Sequence, residues 1–267
     1  MGEIAPLRLA DRSWDNVGIL VESPDANNSG IVVLTIDLTP EVMEECLHHN
    51  AEVVVAYHPP IFTPLKRLTL ADSKQRIILQ TVRHGASIYS PHTSLDAAVD
   101  GINDWLASIV DADGERCPIQ PCEGANENYD DLAAVGIGRV VTLRQPKRMA
   151  VLVDDIKTGL GIPTVRVALP EGWGSNTPVR SVAICAGSGS GVFRALKEHV
   201  DLLFSGEMGH HEVLAANAKG QGVILCEHTN TERGYLAKQL LPRLQQSLGN
   251  EVRVMVSAKD KDPLVVW

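Results

Sequence analysis

The chain has 267 residues, of which 44% are hydrophobic and 21% charged, and its formal net charge is -9 at pH 7. This length and composition predict one large or two ordinary globular domains with a buried core. The negative charge argues against nucleic-acid binding by broad charge neutralisation, and 4% aromatic residues are too few for stacking along a single strand. No apolar run approaches the length of a membrane span, so no membrane contact is expected.

The 5 cysteines are scattered along the chain and odd in number. Such a set is typical of a reducing compartment. The first residues show no cationic region followed by an apolar one, which predicts no secretory signal. The sequence therefore predicts a cytoplasmic protein, with a mitochondrial or nuclear location as the alternatives.

Short apolar runs between turn residues predict strands, and apolar residues at helical spacing predict helices. The predicted strands are 17–22, 31–37, 52–57, 86–90, 139–143, 164–168, 179–185, 201–205 and 223–226. The predicted helices are 40–47, 75–82, 102–109, 149–160, 192–199, 207–218 and a last one from 231. Strands that alternate with helices are typical of an α/β fold with parallel strands.

The alternation breaks between 111 and about 138, where Asp, Gly, Pro and Asn are frequent. This composition favours a connection over a packed element. The sequence thus predicts an N-terminal α/β half, 1–135, with a connecting region from about 111. A C-terminal α/β half, 136–267, follows.

The pattern His-Thr-x-x-acid occurs twice, each time where a predicted strand gives way to a predicted helix. The first copy runs from His92 to Asp96, and the second from His228 to Glu232. An imidazole and a carboxylate four positions apart can share one helical face and make half of a metal site. The two copies predict an internal repeat whose halves face a shared site.

Functional side chains of open α/β sheets gather at the carboxyl ends of the strands. His58, His92, Glu207 and His228 all fall at such ends. Glu207 is predicted to be a catalytic base or a support for a metal ligand, and the alternative is a carboxylate favoured by a helix dipole. His92 either orients Asp96 or makes a local structural hydrogen bond.

The Gly-rich stretch Gly187–Gly191 lies at a predicted strand-to-helix turn. Its backbone N–H groups suit a phosphate. The alternative is a tight turn that needs a positive φ.

Four blocks resemble a known family over nearly the whole chain: Tyr57 to Phe62, His92 to Asp96, Ser205 to Glu207 and His228 to Glu232. With them the chain resembles the Nif-three-like family (NGG-one-interacting factor three). Members of that family are often labelled GTP cyclohydrolase I type 2 homologues. Residues 14–18 and 262–264 are similar to its eukaryotic branch.

This resemblance implies two similar α/β halves with a two-metal site in the cleft between them. It implies the metal ligands His58, Asp96, His228 and Glu232. Tyr57 stands where many bacterial members have a histidine, and a phenol is the poorer ligand near neutral pH. One or two divalent ions per chain are therefore expected, and histidine with carboxylate suits zinc, manganese or iron. The resemblance also implies a homo-oligomer, often a toroidal hexamer.

Two functions fit these residues. Paired metals polarise an oxygen and generate hydroxide, which predicts a metal-dependent hydrolase that acts on a nucleotide or phosphate-bearing small molecule. The other function, implied by the family name, is a non-catalytic metal-binding protein that contacts protein partners in transcription regulation.

Overall fold

The computed structural model of the protein describes residues 1–122 and 134–267. Its strands are β1 (Gly18–Val21), β2 (Ile31–Thr35), β3 (Val53–Ala56), β4 (Ser87–Ser90), β5 (Glu115–Cys117), β6 (Gln120–Pro121), β7 (Gly136–Ile137), β8 (Arg139–Arg148), β9 (Arg166–Ala168), β10 (Pro178–Ser188), β11 (Leu202–Glu207), β12 (Gly222–Leu225) and β13 (Arg253–Val256). The predicted connection from about 111 includes residues 123–133, which lie outside the described residues.

The α-helices are α1 (Pro40–His48), α2 (Ser73–His84), α3 (Thr93–Ala97), α4 (Ile102–Val110), α5 (Met149–Leu160), α6 (Ser190–Phe193), α7 (His210–Ala218), α8 (Arg233–Tyr235) and α9 (Leu241–Leu248). Turns of 3-10 helix occupy Leu7–Leu9 and Thr229–Thr231, and a π-helix occupies Leu236–Leu240. These elements confirm the predicted α/β class. Within the part of the chain described, no helix combines the length and apolar character needed to cross a membrane.

The chain divides into two compact units. The first contains Met1–Leu95 and Tyr235–Lys261, and the second contains Asp96–Gly234 and Asp262–Trp267. The predicted halves, 1–135 and 136–267, and their internal repeat stay predictions.

The sheet of the first unit has the order β1-β4-β3-β2-β13. Strands β2, β3 and β4 run parallel in chain order, and Thr35 on β2 lies opposite Ala56 on β3. Successive apolar residues of β2 and β3 are buried, so both faces of these two strands are packed, as is usual in parallel sheets. Helix α1 covers one face through Val42 and Met43, which are 0% and 1% exposed. The predicted N-cap is confirmed, because the Thr39 hydroxyl accepts a hydrogen bond from the backbone N–H of Val42 at 3.3 Å.

The sheet of the second unit has the order β5-β8-β10-β11-β12-β9. Strands β10, β11 and β12 run parallel, and Ser205, two residues before the end of β11, lies opposite Leu225 at the end of β12. The core of this unit includes Ala183, Leu203 and Val223. The parallel centre therefore brings the carboxyl ends of β11 and β12 side by side.

A buried ion pair lies beside β8. The Arg139 side chain is 1% exposed, and its Nε and Nη2 atoms donate hydrogen bonds to the two carboxylate oxygens of Asp104 at 2.7 and 2.9 Å. Its Nη1 atom donates to the carbonyl oxygens of Gly136 and Gly138 at 2.6 and 2.8 Å. Each charge is thus compensated where water is excluded.

Two predicted helices differ in extent from the structure, and strands such as β13 were not predicted. The helix predicted at 192–199 ends at Phe193, because Phe193 packs into the core while 197–199 are exposed. The helix predicted from Glu207 begins at His210, and Glu207 ends strand β11 instead. Strand β13 was not predicted, since its apolar run is short and its partner β2 is far away in the sequence.

Candidate metal centre

The imidazole of His228 lies between two carboxylates in the second unit. Its Nδ1 atom lies 2.9 Å from Oε1 of Glu207, and its Nε2 atom lies 3.4 Å from Oε1 of Glu232. A carboxylate on Nδ1 fixes the tautomer and directs Nε2 towards metal ligation. Glu232 is 1% exposed, and buried carboxylates are normally paired or bound to metals. This trio has the chemistry of a metal-binding half-site.

The sequence predicted that His228 and Glu232 share the face of an α-helix, and this prediction was wrong. The 3-10 turn Thr229–Thr231 separates them. The Thr231 hydroxyl donates to the carbonyl oxygen of His228 at 2.7 Å and accepts from the N–H of Gly187 at 2.8 Å. The turn is therefore anchored to the end of β10, which holds both side chains in place.

Gly187 supplies the space that the two side chains share. Its φ is +60°, and a Cβ atom there would lie 2.7 Å from both Oε1 of Glu232 and Nε2 of His228. The same two atoms therefore point at one spot in front of Gly187. Of the two interpretations of the Gly-rich stretch, the tight turn fits, because helix α6 after it has only 4 residues.

Asp96 lies in α3, and its charge acts on the same cysteine thiol as the charge of Glu232. Burial raises the pKa of the Cys185 thiol at the end of β10, and the charges of Asp96 and Glu232 raise it further. Asn103 links the two regions, since it donates to the carbonyl oxygen of Asp96 at 3.1 Å and accepts from the N–H of Ala186 at 2.9 Å. The role of Asp96 as a metal ligand stays a prediction.

In the first unit, His58 has its own carboxylate partner. It follows strand β3, and its Nδ1 atom lies 2.9 Å from Oδ1 of Asp37, which follows the neighbouring strand β2. This is the arrangement that Glu207 and His228 show at the ends of β11 and β12. Both histidines predicted as ligands are thus oriented through Nδ1.

His92 makes a structural hydrogen bond, but its partner Asp15 is far away in the sequence, so the bond is not the local one that was predicted as one of its two roles. Its Nδ1 atom lies 2.7 Å from Oδ1 of Asp15, and both the N–H and the hydroxyl of Thr93 donate to Oδ2 of Asp15. Burial raises the pKa of the Asp15 carboxyl group, but the hydrogen bonds from His92 and Thr93 and the nearby His92 charge outweigh it. The net pKa of the Asp15 carboxyl group lies below its ordinary value, so Asp15 is the anionic partner in its hydrogen bond with His92.

Tyr57 is 2% exposed, and its ring packs against the rings of His58 and His92 with centroid distances of 4.9 and 5.4 Å. The phenol thus fills the space beside both histidines. Its effect on the number of bound metals stays a prediction.

A set of two histidines and one glutamate could bind a metal ion: His58, His228 and Glu232. Two imidazole nitrogens and one carboxylate oxygen form a donor set used by zinc, manganese and iron. The residues present therefore fit the metal that the resemblance implies.

The backbone before His228 takes an unusual conformation. Glu227 has a φ of +66°, a region that side-chain-bearing residues other than Asn and Asp seldom adopt. Its carboxylate lies 3.1 Å from Nε of Arg166 on β9. The sheet edge thus supports this strained residue next to the candidate ligand.

The chain matches a known protein family along nearly all of its length. The family model described as Duf34/NIF3 (NGG1p interacting factor 3) matches residues 1–263. The chain belongs to the Duf34/NIF3 family. The resemblance carried by the four sequence blocks is thereby confirmed.

Several named members of the Duf34/NIF3 family are similar to this chain over almost its whole length. The "Protein NIF3 homolog" of Schizosaccharomyces pombe is 44% identical, with 96% of this chain and 92% of that protein covered. The "NGG1-interacting factor 3" of Saccharomyces cerevisiae is 41% identical, with 98% and 92% covered. The human "NIF3-like protein 1" is 34% identical, with 100% and 90% covered.

Solved structures share the Duf34/NIF3 fold. A hypothetical protein of Staphylococcus aureus superposes with a TM-score of 0.80 at 24% identity, with 100% of this chain and 96% of that chain covered. A Bacillus cereus protein related to NIF3 gives a TM-score of 0.78 at 19% identity, with the same coverage. At these identities the likeness concerns the fold.

Proposed function

We propose that this Duf34/NIF3 protein is a metal-dependent hydrolase that acts on a nucleotide or another phosphate-bearing small molecule. The observation that carries the proposal is the His228 imidazole held between Glu207 and the buried Glu232. A structural salt bridge needs one carboxylate per imidazole. Two carboxylates, one at each ring nitrogen, are the arrangement expected of a ligating histidine and its support.

His58, His228 and Glu232 are the residues that would hold the metal, with Asp96 as a proposed fourth ligand. A bound divalent ion supplies Lewis-acid polarisation and a more acidic water molecule. The side chains have separate tasks. Asp37 and Glu207 hold the Nδ1 protons of the two imidazoles, and Glu232 contributes negative charge from a buried position.

We expect Glu207→Gln to weaken metal affinity by about 10- to 100-fold, because supports of ligating histidines have effects of this size. An amide oxygen still accepts the Nδ1 proton but stabilises it less than a carboxylate does. Metal titration and turnover per bound metal should both be measured. Unchanged metal affinity with lost turnover would instead make Glu207 the catalytic base.

The hydrolase itself is tested with Glu232→Gln, which keeps the side-chain shape and removes its charge. The wild-type protein, loaded with zinc, manganese or iron, is incubated with a panel of nucleotides and phosphoesters. We expect metal-dependent turnover that falls at least 100-fold in Glu232→Gln, with metal content reduced in parallel. The control is Glu171→Gln, since Glu171 is exposed. No turnover by any metal-loaded wild-type sample would refute the proposal.

A second function is suggested by the name of the yeast relative, "NGG1-interacting factor 3". Under it, this chain would be a metal-binding homo-oligomer that contacts protein partners without catalysis. The same variants separate the two functions. A partner that binds wild-type and Glu232→Gln equally well, together with an absence of turnover, would favour the interaction protein.

A further inference from the structure

Two aromatic rings of the first unit are exposed to solvent side by side. Trp14 and Phe62 are 51% and 47% exposed, and their ring centroids are 6.0 Å apart with planes inclined at 57°. Packing in a core accounts for neither ring. An exposed aromatic pair of this kind offers stacking surface to a planar ligand.

This aromatic pair leads to the candidate metal ligand of the same unit. The ring of His92 lies edge-on to Trp14 at 5.8 Å and to Phe62 at 6.5 Å. His92 in turn lies 5.5 Å from the ring of His58. A ligand stacked on the pair would therefore have its remaining groups close to His58.

Hydrogen bonds hold both rings in position before any ligand arrives. The indole N–H of Trp14 donates to Oδ2 of Asp11 at 2.8 Å. The side-chain amide of Asn16 donates to the carbonyl oxygen of Ile61 at 2.5 Å, which joins the segment of Trp14 to that of Phe62. Such preorganisation lowers the entropy lost when a ligand binds.

Two cations follow Phe62 on the same exposed loop. Lys66 and Arg67 are both exposed, and neither forms an ion pair with any residue that the structure describes. The loop thus offers positive charge close in sequence to the aromatic pair, although the whole chain carries a net charge of -9. This local charge favours an anionic ligand.

We propose that Trp14 and Phe62 form the base-binding subsite of the enzyme, and that its substrate is a nucleotide whose heteroaromatic ring stacks on this pair. Hydrolysis of the bound nucleotide rests on the proposed function. Binding itself needs no turnover, so the two can fail separately. A sugar phosphate without a base would lack the stacking energy and bind more weakly.

The test is equilibrium binding of adenosine 5′-monophosphate and of ribose 5-phosphate to the full chain, measured by calorimetry. We expect adenosine 5′-monophosphate to bind wild-type protein at least about tenfold more tightly. Trp14→Ala and Phe62→Leu should each weaken its binding about tenfold and leave ribose 5-phosphate within about twofold. Trp14→Phe keeps a stacking ring and should retain most of the affinity, and unchanged ribose 5-phosphate binding by Trp14→Ala shows that this variant is folded.

Leu70→Ala is the matched control, because Leu70 is 65% exposed on the same loop. This variant should bind adenosine 5′-monophosphate and ribose 5-phosphate as tightly as the wild-type protein does. Equal wild-type affinities for the two ligands, no binding of either, or equal losses in Trp14→Ala and Leu70→Ala would overturn the subsite. Normal hydrolysis of ring-free phosphoesters by Trp14→Ala with unchanged nucleotide affinity would leave the hydrolase standing and remove the subsite alone. If Trp14→Ala and Phe62→Leu lost nucleotide affinity selectively and no sample hydrolysed any substrate, the base-binding subsite would stand and the hydrolase would be refuted.

Discussion

Gly187→Ala is expected to lower the metal content of the purified protein at least tenfold. The added Cβ would lie 2.7 Å from Nε2 of His228 and from Oε1 of Glu232, so both side chains must move from the positions that aim them at one point. The φ of +60° at this residue adds a backbone cost of about 1–2 kcal/mol for a residue with a Cβ. Elemental analysis gives the metal content, and thermal unfolding gives the cost in stability.

Gly191→Ala is the control for this substitution. Gly191 lies in α6, and a Cβ there would meet no atom within 4 Å. This variant should keep its metal and lose no stability, since alanine is the better helix former. If Gly187→Ala kept the wild-type metal content, the metal would have to bind away from the point that His228 and Glu232 share.

Asp104→Asn is expected to lower the free energy of unfolding by about 3–5 kcal/mol, the usual cost of stranding one partner of a buried ion pair. The Arg139 side chain is 1% exposed and would keep its charge without a counterion. Its hydrogen bonds to the carbonyl oxygens of Gly136 and Gly138 cannot neutralise that charge. Urea unfolding measures the difference.

Asp113→Asn gives the matched comparison, because its partner Arg144 lies at 3.0 Å but the two side chains are 71% and 67% exposed. Solvent screening makes such pairs worth at most about 1 kcal/mol. If Asp104→Asn lowered the free energy of unfolding by less than about 1 kcal/mol, the Asp104–Arg139 pair would contribute no more than an exposed ion pair. That result would contradict its description as a buried, stabilising pair.

Much of the fold could be predicted from local sequence patterns. The apolar runs of β2, β3 and β4 and the Thr39-Pro40 helix start were all readable from the sequence, because each depends on neighbouring residues. The extent of α6 and the existence of β13 could not be predicted from the sequence. Both depend on packing against parts of the chain that are far away in sequence.

The candidate site shows the same division. His58 and His228 could be predicted as metal ligands because each follows a predicted strand and lies in a recognisable sequence motif. Asp37 was missed, although it also ends a predicted strand. Its pairing with His58 depends on which strands are neighbours and on their register, which the sequence does not state. Asp15 was missed for a related reason, since it reaches His92 from a loop.

Glu227 has a consequence for how the site tolerates changes in chain length. Asp37 and His58 each lie two residues beyond a directly paired position, Thr35 and Ala56, so alternation places both side chains on one face of the sheet. In the other unit Glu207 lies two residues beyond Ser205, but His228 lies three beyond Leu225. Alternation alone would turn the His228 side chain away from Glu207. The left-handed turn at Glu227 absorbs the surplus residue, so position 227 favours residues that tolerate a positive φ, such as Gly, Asn or Asp. Deleting that position would restore the two-residue spacing that His58 has beyond Ala56.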